Sequence, residues 1–290
     1  MEKKVIGGGL ITKQRKGNLF LDKLSVIPQA AFSVSRKLRT ASTLPLITVR
    51  RSSDNLLLDI SALSNNELDL QSLLNFCGGG SGFIHRLYDN TGNNNHATQS
   101  NVARQPRIVN NGVLETLNGK PAMRFLGNGW MNMPSSILAN KTAYALNFVA
   151  NFESINAWEV LFSQTTSDSF LQIRRQGTDQ SLQVVDGGTV FTDNGLSANT
   201  NETAGLSDTC GITVNRNNLN LSININSNSK SFVLPSNTSV LNTAAQIGTR
   251  ASGGGAFFVG TVSECLMYPT TIFDVDLGIL HTDQIEYYAI

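Results

Sequence analysis

The sequence has little of several features that mark common protein classes. Its 290 residues include 3 cysteines, 3 histidines and 7 prolines, and no apolar run reaches the roughly 18 residues of a membrane-spanning helix. Cys77, Cys210 and Cys265 are too few and too scattered for a disulfide framework, and no CxxC pair offers ligands for structural zinc. We therefore expect buried free thiols, no metal site and no other cofactor.

Charge is unevenly distributed along the chain. The first 51 residues hold 11 Lys and Arg against 2 acids, although the whole chain has a net charge of only +1. The start, Met1-Glu2-Lys3-Lys4, leads into three glycines instead of the apolar core of a secretory signal. We expect no membrane contact and no conventional secretion. Residues 1–29 are predicted to form a basic arm, and residues 30–290 a single domain.

The abundance of asparagine, 31 residues in all, favours turns over long helices. Its side chain hydrogen-bonds the local backbone and competes with helical bonding. From Phe83 to about Tyr268, runs of about five to eight β-prone residues are divided by Asn, Gly, Asp and Ser clusters. This pattern predicts an all-β sandwich of two antiparallel sheets. One strand precedes the repeated pattern, at Leu46 to Arg50.

Three short helices are predicted around the sheets. The first spans Gln29 to Arg39, where apolar residues recur at near-helical spacing. The second follows a cap at Asn65 and Asn66 and stops at Gly78, and the third closes the chain. The predicted face of this last helix contains Phe273, Leu277, Leu280, Ile285 and Tyr288. Residues expected in the core or under the helices are Leu70, Leu73, Leu74, Phe125, Phe148, Phe257 and Leu280.

Four motifs occur in one order between Ala30 and Phe125: AAFSVSRKLR, VRRSSDN, YDNTGNNNHATQ and LNGKPAMRF. Together they resemble the opening of the α-L-arabinofuranosidase B catalytic domain. The later segment GAFFVGTV, from Gly255, is similar to that family's last strand. The resemblance covers most of residues 30–290 and implies a concanavalin A-like, laminin-G-like jelly roll. Relatives with these motifs also occur among phage virion proteins.

The resemblance also identifies the positions at which the family performs catalysis. A retaining glycosidase needs a nucleophilic carboxylate and a carboxylic acid about 5 to 5.5 Å apart. The family's nucleophile falls on Gln172 and its acid/base on Arg250, and neither side chain can take these roles. The family's adjacent cysteine pair is absent, and Leu87 replaces the aromatic residue expected before Tyr88. We therefore expect the scaffold without catalytic residues.

Other candidate residues have a structural interpretation beside the functional one. A relocated catalytic pair would have to come from Glu115, Glu153, Asp168, Asp179, Asp186 or Glu264, although solvated surface acids are commoner. The loop from Asp89 to Asn95 has oxygen ligands that suit calcium but lacks EF-hand spacing, so a self-bonded turn is favoured. Surface or turn hydrogen bonds are expected for the histidines, His85, His96 and His281. Core packing is favoured over sugar stacking for Trp130, Trp158, Tyr144 and Tyr268.

The basic arm suits contacts with phosphate or carboxylate groups. Its cations are Lys3, Lys4, Lys13, Arg15, Lys16 and Lys23. The expected function is that of a non-enzymatic structural protein in a phage virion, as a tail, fibre or head-decoration component docked by this arm. Expected partners are other virion proteins, further copies of the chain, a host-surface glycan and, through the arm only, nucleic acid. The alternatives are an active glycan hydrolase of the arabinofuranosidase type and a free lectin.

Overall fold

The computed structural model describes residues 19–153, 158–165, 170–175, 181–192, 209–226, 228–250 and 256–290. Antiparallel strands form a jelly-roll sandwich, and one large hydrophobic cluster lies between its two layers. The predicted fold class is therefore confirmed. Among the described residues, no helix is long and apolar enough to cross a membrane.

The strands of the first half are short. In chain order they are β1 (Ala30–Ser33), β2 (Ile47–Arg51), β3 (Leu57–Ile60), β4 (Gly82–Leu87), β5 (Ala97–Thr98), β6 (Arg107–Asn110), β7 (Val113–Leu114), β8 (Thr116–Leu117), β9 (Lys120–Pro121), β10 (Met123–Leu126) and β11 (Met131–Met133). Helix α1 (Leu70–Cys77) lies between β3 and β4. Three 3-10 turns span Phe20–Lys23, Val102–Arg104 and Ser135–Ile137.

Longer strands make up the second half. They are β12 (Ala143–Phe152), β13 (Glu159–Gln164), β14 (Leu171–Arg175), β15 (Leu182–Asp186), β16 (Thr189–Thr192), β17 (Cys210–Asn217), β18 (Asn220–Ile225), β19 (Asn228–Val233), β20 (Ala245–Ile247) and β21 (Val259–Tyr268), followed by helix α2 (Asp274–Tyr288). The β-prone runs of the sequence in this half agree with the structure to within a few residues at each end. These predicted strands are Ala143 to Phe152, Glu159 to Ser163, Phe170 to Arg175, Ser181 to Val185, Gly211 to Val214, Leu219 to Ile225 and Phe257 to Met267. Turn residues therefore mark these strand boundaries reliably.

The first sheet is built around β21. One edge of β21 pairs with β12, and β17, β18 and β19 follow outward in that order. The other edge pairs with β1 and then, farther towards the start of β21, with β10. The order of the second sheet is β3-β2-β4-β5-β11-β20-β13-β14-β15-β16. Strand β6 pairs with both β4 and β10 and so joins the two sheets at one side.

The segment predicted as the first helix is a strand, so that prediction is wrong. Residues Ala30–Ser33 form β1, and all four are buried. Phe32 lies in the core between the sheets, whereas Ala31 belongs to a second cluster outside the first sheet. Apolar residues are needed on both sides of this strand, which produces a run that mimics helical spacing. Pairing with β21 then overrides local helix propensity.

The other two helices are present, with differences in detail. Helix α1 is capped by Asp69, whose carboxylate accepts a hydrogen bond from the Ser72 amide at 3.0 Å, rather than by Asn65. It ends at Gly78, where φ is +56°. On the predicted face of α2, Leu280 and Tyr288 are buried, whereas Phe273 is 62% exposed. The start of α2 thus projects farther from the sheet than the sequence suggests.

Most of the predicted core residues are buried. Leu73, Phe125, Phe148 and Leu280 are buried, and Leu74 packs at the edge of the core. Leu70 is exposed, because it lies on the solvent side of the first turn of α1. Phe257 is also misplaced by the prediction, since the buried residue is Phe258. The strand phase is shifted by one residue there, which reverses the face on which each side chain lies.

The abundance of asparagine has a structural explanation. Among the described residues, eight asparagines have positive φ: Asn55, Asn66, Asn94, Asn111, Asn118, Asn140, Asn218 and Asn226. Among residues with a Cβ atom, Asn and Asp tolerate this left-handed conformation best. Several of these positions turn one strand into the next, as Asn218 does between β17 and β18. The composition therefore reflects the many tight turns that an antiparallel fold needs.

The outer face of the first sheet is covered by the two ends of the described chain. Leu280 of α2 and the 3-10 turn Phe20–Lys23 pack with Ala145 of β12 and Leu266 of β21. The Asp276 carboxylate accepts hydrogen bonds from the Ser25 amide and hydroxyl at 2.9 and 2.7 Å. The last part of the predicted arm, from Phe20 onward, thus packs against the domain. Residues 1–18 lie outside the described residues.

The predicted buried thiols are confirmed, since Cys77, Cys210 and Cys265 are all buried and free. Burial raises the pKa of Cys265. A thiol in this environment stays protonated and packs as a small apolar group. The cysteines therefore belong to the core of the sandwich.

The shifted strand phase before β21 leads to a test with neighbouring phenylalanines. Replacing Phe258, which contacts Phe125 and Phe152 edge-on, with alanine is expected to cost about 3 to 5 kcal/mol of unfolding free energy. The same change at half-buried Phe257 is expected to cost less than about half of that. Urea denaturation of both variants measures the difference. Equal losses, or a larger loss for Phe257, would contradict the assigned phase.

Candidate functional site

A row of polar side chains crosses the outer face of the second sheet. Its eight members lie directly opposite one another on neighbouring strands: Asp59, Thr48, Arg86, Thr98, Asn132, Gln246, Ser163 and Gln172. Directly opposed residues of an antiparallel pair point to the same side of the sheet. Their chain neighbours, such as Ile247 and Ile173, point inward to the core. We call this set the polar row.

The polar row is buried at one end and exposed at the other. Gln172 and Ser163 are fully buried, and Gln246 is nearly so. Asn132, near the middle, and Asp59, at the far end, are exposed. Since adjacent strands lie about 4.8 Å apart, the seven strand-to-strand steps from Asp59 to Gln172 extend over about 34 Å of sheet. An extended polymer with many hydroxyl groups matches such a surface in length and polarity.

Of the two positions matched by the family resemblance, Gln172 lies at the buried end of the polar row and Arg250 follows a residue that contacts this end. Ser163 is opposite Gln172 across the β13–β14 pair. The Ser163 hydroxyl donates a hydrogen bond to the Thr249 carbonyl oxygen at 2.8 Å, and Arg250 follows Thr249 in the chain. An amide and a guanidinium hold hydroxyl groups well, but neither attacks a sugar as a carboxylate does.

Aromatic rings flank the buried half of the polar row. Trp130 stacks on Phe257 with 6.1 Å between the ring centroids, and the Arg104 guanidinium lies 5.1 Å from the Trp130 ring. The Trp130 indole donates a hydrogen bond to the Asn132 side chain at 3.2 Å. Trp158 is half exposed, with the Arg174 guanidinium 4.7 Å from its ring. Both tryptophans therefore lie outside the core, contrary to the favoured interpretation.

The two tyrosines considered for sugar stacking are core residues, as predicted. Tyr144 and Tyr268 are fully buried. The Tyr144 hydroxyl donates a hydrogen bond to the Asp186 carboxylate at 2.7 Å, and burial raises the pKa of Tyr144. Arg216 forms an ion pair with the same carboxylate at 2.6 Å. Asp186 is therefore committed to a buried structural cluster.

Three more of the candidate acids are held by arginines away from the polar row. Glu115 bridges Arg107 and Arg124, each at 2.6 Å, and Arg124 also contacts Glu153. Glu264 accepts a hydrogen bond from Arg36 at 2.7 Å beneath helix α2. Burial opposes the charge of Arg36, but Glu264, Tyr288 and Asp283 together outweigh it and raise the pKa of Arg36. Asp168 and Asp179 lie outside the described residues.

The loop after β4 is organised by its own hydrogen bonds. The buried Asp89 carboxylate accepts from the amides of Ala31, Thr91 and Asn95 at 3.0, 2.9 and 3.1 Å. These bonds fasten the loop to β1 and leave the carboxylate in a structural role. No group of three or more metal-ligating side chains occurs in the part of the chain that the structure describes.

Each histidine has a hydrogen-bonding contact. His96 Nδ1 accepts from the Asp89 amide at 3.1 Å, and His281 Nε2 lies 3.1 Å from the Thr213 hydroxyl. The Gln105 amide lies 3.3 Å from His85 Nδ1. Burial lowers the pKa of both His96 and His281.

Of the six cations named for the basic arm, the structure describes Lys23, which is exposed at the end of the first 3-10 turn. The other five cations named for the arm, Lys3, Lys4, Lys13, Arg15 and Lys16, lie outside the described residues.

Most members of the polar row were missed by sequence reasoning. Among its residues, only Gln172 was singled out from the sequence. Each of the others is a polar residue next to apolar ones in a short strand, as Asn132 is between Met131 and Met133. That alternation marks an outer face but does not show which strands are neighbours. The row exists only because nonconsecutive strands pair in register.

Comparison with known proteins identifies the class of fold and then the similar family. The family model of the α-L-arabinofuranosidase B catalytic domain matches residues 26–121. A GH54 α-L-arabinofuranosidase soaked with a cyclic sulfate inhibitor superposes with a TM-score of 0.71 at 15% sequence identity, covering 91% of this chain and 63% of that one. An arabinofuranosidase complexed with arabinofuranosyl-α-1,2-xylobiose gives the same values. A search of curated proteins finds no match.

These findings confirm the resemblance and the fold, and they overturn the expected function. The matched family model is that of a catalytic domain, and the similar structures are arabinofuranosidases. The prediction of a non-enzymatic phage virion protein is therefore wrong. It relied on two substituted positions, Gln172 and Arg250, whereas the comparisons rest on the fold of almost the whole chain. The chain spans 63% of the length of these arabinofuranosidases.

The environment of His281 predicts a pH dependence of stability. Burial lowers its pKa in the folded state below the ordinary value of 6.5. The unfolded chain then binds a proton that the folded chain does not, so stability is lost as the pH falls through about 6.5. His281→Asn is expected to reduce the loss of Tm between about pH 7.5 and 5.5. An equal loss of Tm in the two proteins across this pH range would show that His281 does not cause the pH dependence.

Proposed function

We propose that the protein is a glycoside hydrolase of the α-L-arabinofuranosidase type and that its glycan lies along the polar row. The observation that carries the proposal is the position of Gln172 and Arg250. Gln172 lies at the buried end of a polar surface that opens to solvent at its other end, and the residue before Arg250 accepts a hydrogen bond from Ser163 at that buried end. A terminal sugar at the buried end and the remainder of the glycan toward the exposed end match this arrangement.

Recognition of the sugar follows from the side chains near the buried end. Gln172, Gln246 and Ser163 provide groups that donate to and accept from sugar hydroxyls. Trp158 offers a half-exposed ring, and the apolar face of a sugar packs against such rings. The Arg174 guanidinium beside Trp158 holds the ring in place and adds donors. These groups bind a neutral, hydroxyl-rich ligand without a metal ion.

The identity of residue 172 limits the route of hydrolysis. A carboxamide does not form the glycosyl ester through which a retaining enzyme passes. Direct attack by water therefore remains, with one carboxylate as base and one carboxylic acid about 6.5 to 9.5 Å away. Gln172 can orient that water through its amide. Each candidate acid that the structure describes forms an ion pair with an arginine. The remaining candidates, Asp168 and Asp179, are therefore the ones to test by mutation.

The first test of this proposal is hydrolysis and its stereochemistry. The protein is expected to release 4-nitrophenol from 4-nitrophenyl α-L-arabinofuranoside, the compound soaked into a variant of a similar enzyme. NMR at early times is expected to show inversion at the anomeric carbon, since no covalent intermediate forms on Gln172. A retained anomer would overturn the one-step route. No release above a heat-treated control, with this substrate or with arabinofuranosyl-xylobiose, would overturn the proposed function.

Mutation of the two remaining acids tests where the proton transfers occur. Asp168→Asn or Asp179→Asn is expected to lower kcat at least about 100-fold, because general acid or base catalysis contributes that much. Glu153→Asn is the control, since Glu153 pairs with Arg124 away from the polar row. Full activity in both Asp variants would exclude these acids as the catalytic pair.

Trp158 offers a test of recognition separate from catalysis. Trp158→Ala is expected to weaken glycan binding by about tenfold, because stacking contributes roughly 0.5 to 1.5 kcal/mol beyond area burial. The side chain is half exposed, so Tm should change little. Leu219→Ala in the turn between β17 and β18 of the first sheet, exposed to a similar degree, is the matched control. Unchanged affinity in Trp158→Ala, measured by titration calorimetry, would remove the ring from the binding surface.

A further inference from the structure

A pocket lies at the exposed end of the polar row, on strands β2, β3 and β4. Its volume is about 460 Å³, and its lining includes Thr48, Leu57, Asp59, Arg86 and Tyr88. Three of these, Asp59, Thr48 and Arg86, are consecutive members of the polar row. Arg86 is separated from Gln172 by five strand-to-strand steps, or about 24 Å of sheet. The pocket therefore lies well away from the buried end, and the polar row connects the two.

The pocket presents a fixed acceptor. The Thr48 hydroxyl donates to one oxygen of Asp59 at 2.6 Å, and the Tyr88 hydroxyl donates to the other at 3.1 Å. Two hydroxyl donors hold the carboxylate in one orientation, and Asp59 remains exposed. A carboxylate oxygen accepts more than one hydrogen bond. Asp59 can therefore still accept from a ligand.

A donor lies beside this acceptor. The Arg86 guanidinium lies 5.5 Å from the centroid of the Tyr88 ring, which positions it over the same pocket. Its Nε atom is buried and has no hydrogen-bond partner among the described residues. The residue lines the pocket and is only half-buried, and its guanidinium carries further N–H donors that a ligand oxygen can reach. The ligand should therefore carry acceptors as well as donors.

The charges and the apolar rim define the class of ligand. Arg86 and Asp59 have opposite charges, so the pair gives an anion no net attraction, and Asp59 repels it at short range. Leu57 and Leu58 are 50% and 39% exposed and line the same pocket. Sugars combine hydroxyls that donate and accept with an apolar C–H surface. They therefore match the acceptor Asp59, the donor Arg86 and the apolar leucine rim.

We propose that this pocket is a distal subsite that binds a neutral sugar unit of the same glycan, several units away from the buried end. Asp59 accepts from one hydroxyl, Arg86 donates to its neighbour, and the two leucines contact the ring carbons. This inference rests on the proposed function, because the polar row connects the two ends. A long glycan then gains affinity from the pocket, and a short one does not.

The test compares ligands of two lengths by titration calorimetry. Asp59→Asn, and Arg86→Met as a second variant, are expected to weaken binding of a neutral arabinan octasaccharide at least about tenfold, since the first replaces a charged acceptor with a neutral one and the second removes the charged donor. Binding of an arabinan disaccharide and hydrolysis of the aryl arabinofuranoside should stay unchanged. Asp54→Asn removes an equal charge from the β2–β3 turn outside the pocket and serves as the control. Melting curves verify that each variant is folded.

The outcomes separate this inference from the proposed function. Equal octasaccharide affinity in the wild type and Asp59→Asn would overturn the distal subsite while leaving hydrolysis untouched. Equal losses for the octasaccharide and the disaccharide would also overturn it, as would tighter binding of a uronic-acid octasaccharide than of the neutral one. If the wild type hydrolyses nothing but Asp59→Asn still weakens octasaccharide binding selectively, the subsite holds and the proposed function fails.

Discussion

Pairing between β12 and β21 is the interaction on which the rest of the sandwich depends. The two ten-residue strands bond along most of their length, and β21 offers its other edge to β1 and β10. Strand β10 then leads through β6 into the second sheet. The approach is so close at Gly260, where φ is +155°, that a Cβ atom would lie 2.0 Å from the Asn151 carbonyl oxygen. Only glycine permits this close approach of the two backbones.

Buried ion pairs occupy the inner and helix-covered parts of the fold. Arg216 binds Asp186 between the sheets, and Arg36 contacts both Glu264 and Asp283 beneath α2. Burying such charges is costly, and removing one partner typically destabilises a protein by about 3 to 5 kcal/mol. These acids therefore stabilise the fold. The proposed glycan site therefore lies on the outer face of the second sheet, which α2 does not cover.

The outer face of that sheet combines two environments on one continuous surface. Near Gln172, burial removes water and strengthens each hydrogen bond to a ligand. Near Asp59, the surface is open and a chain can extend into solvent. Alternation along each strand separates this face from the core, so substitutions among the polar row can change ligand preference without changing the packing of Ile173 or Ile247. Under the proposed function, the same scaffold can thus support different glycan specificities.

The sequence by itself determined the all-β class, most strand boundaries from β12 onward, the buried thiols and the family resemblance, because turn residues and alternation are local signals. Through that resemblance, it also matched Gln172 and Arg250 to the two catalytic positions of the family. Only the tertiary structure decided that Ala30–Ser33 is a strand, that Phe258 rather than Phe257 enters the core, and that residues as distant as Asp59 and Gln246 share one row. These outcomes depend on which strands become neighbours and in what register. Hydrogen bonding between distant segments sets both, and no local pattern encodes them.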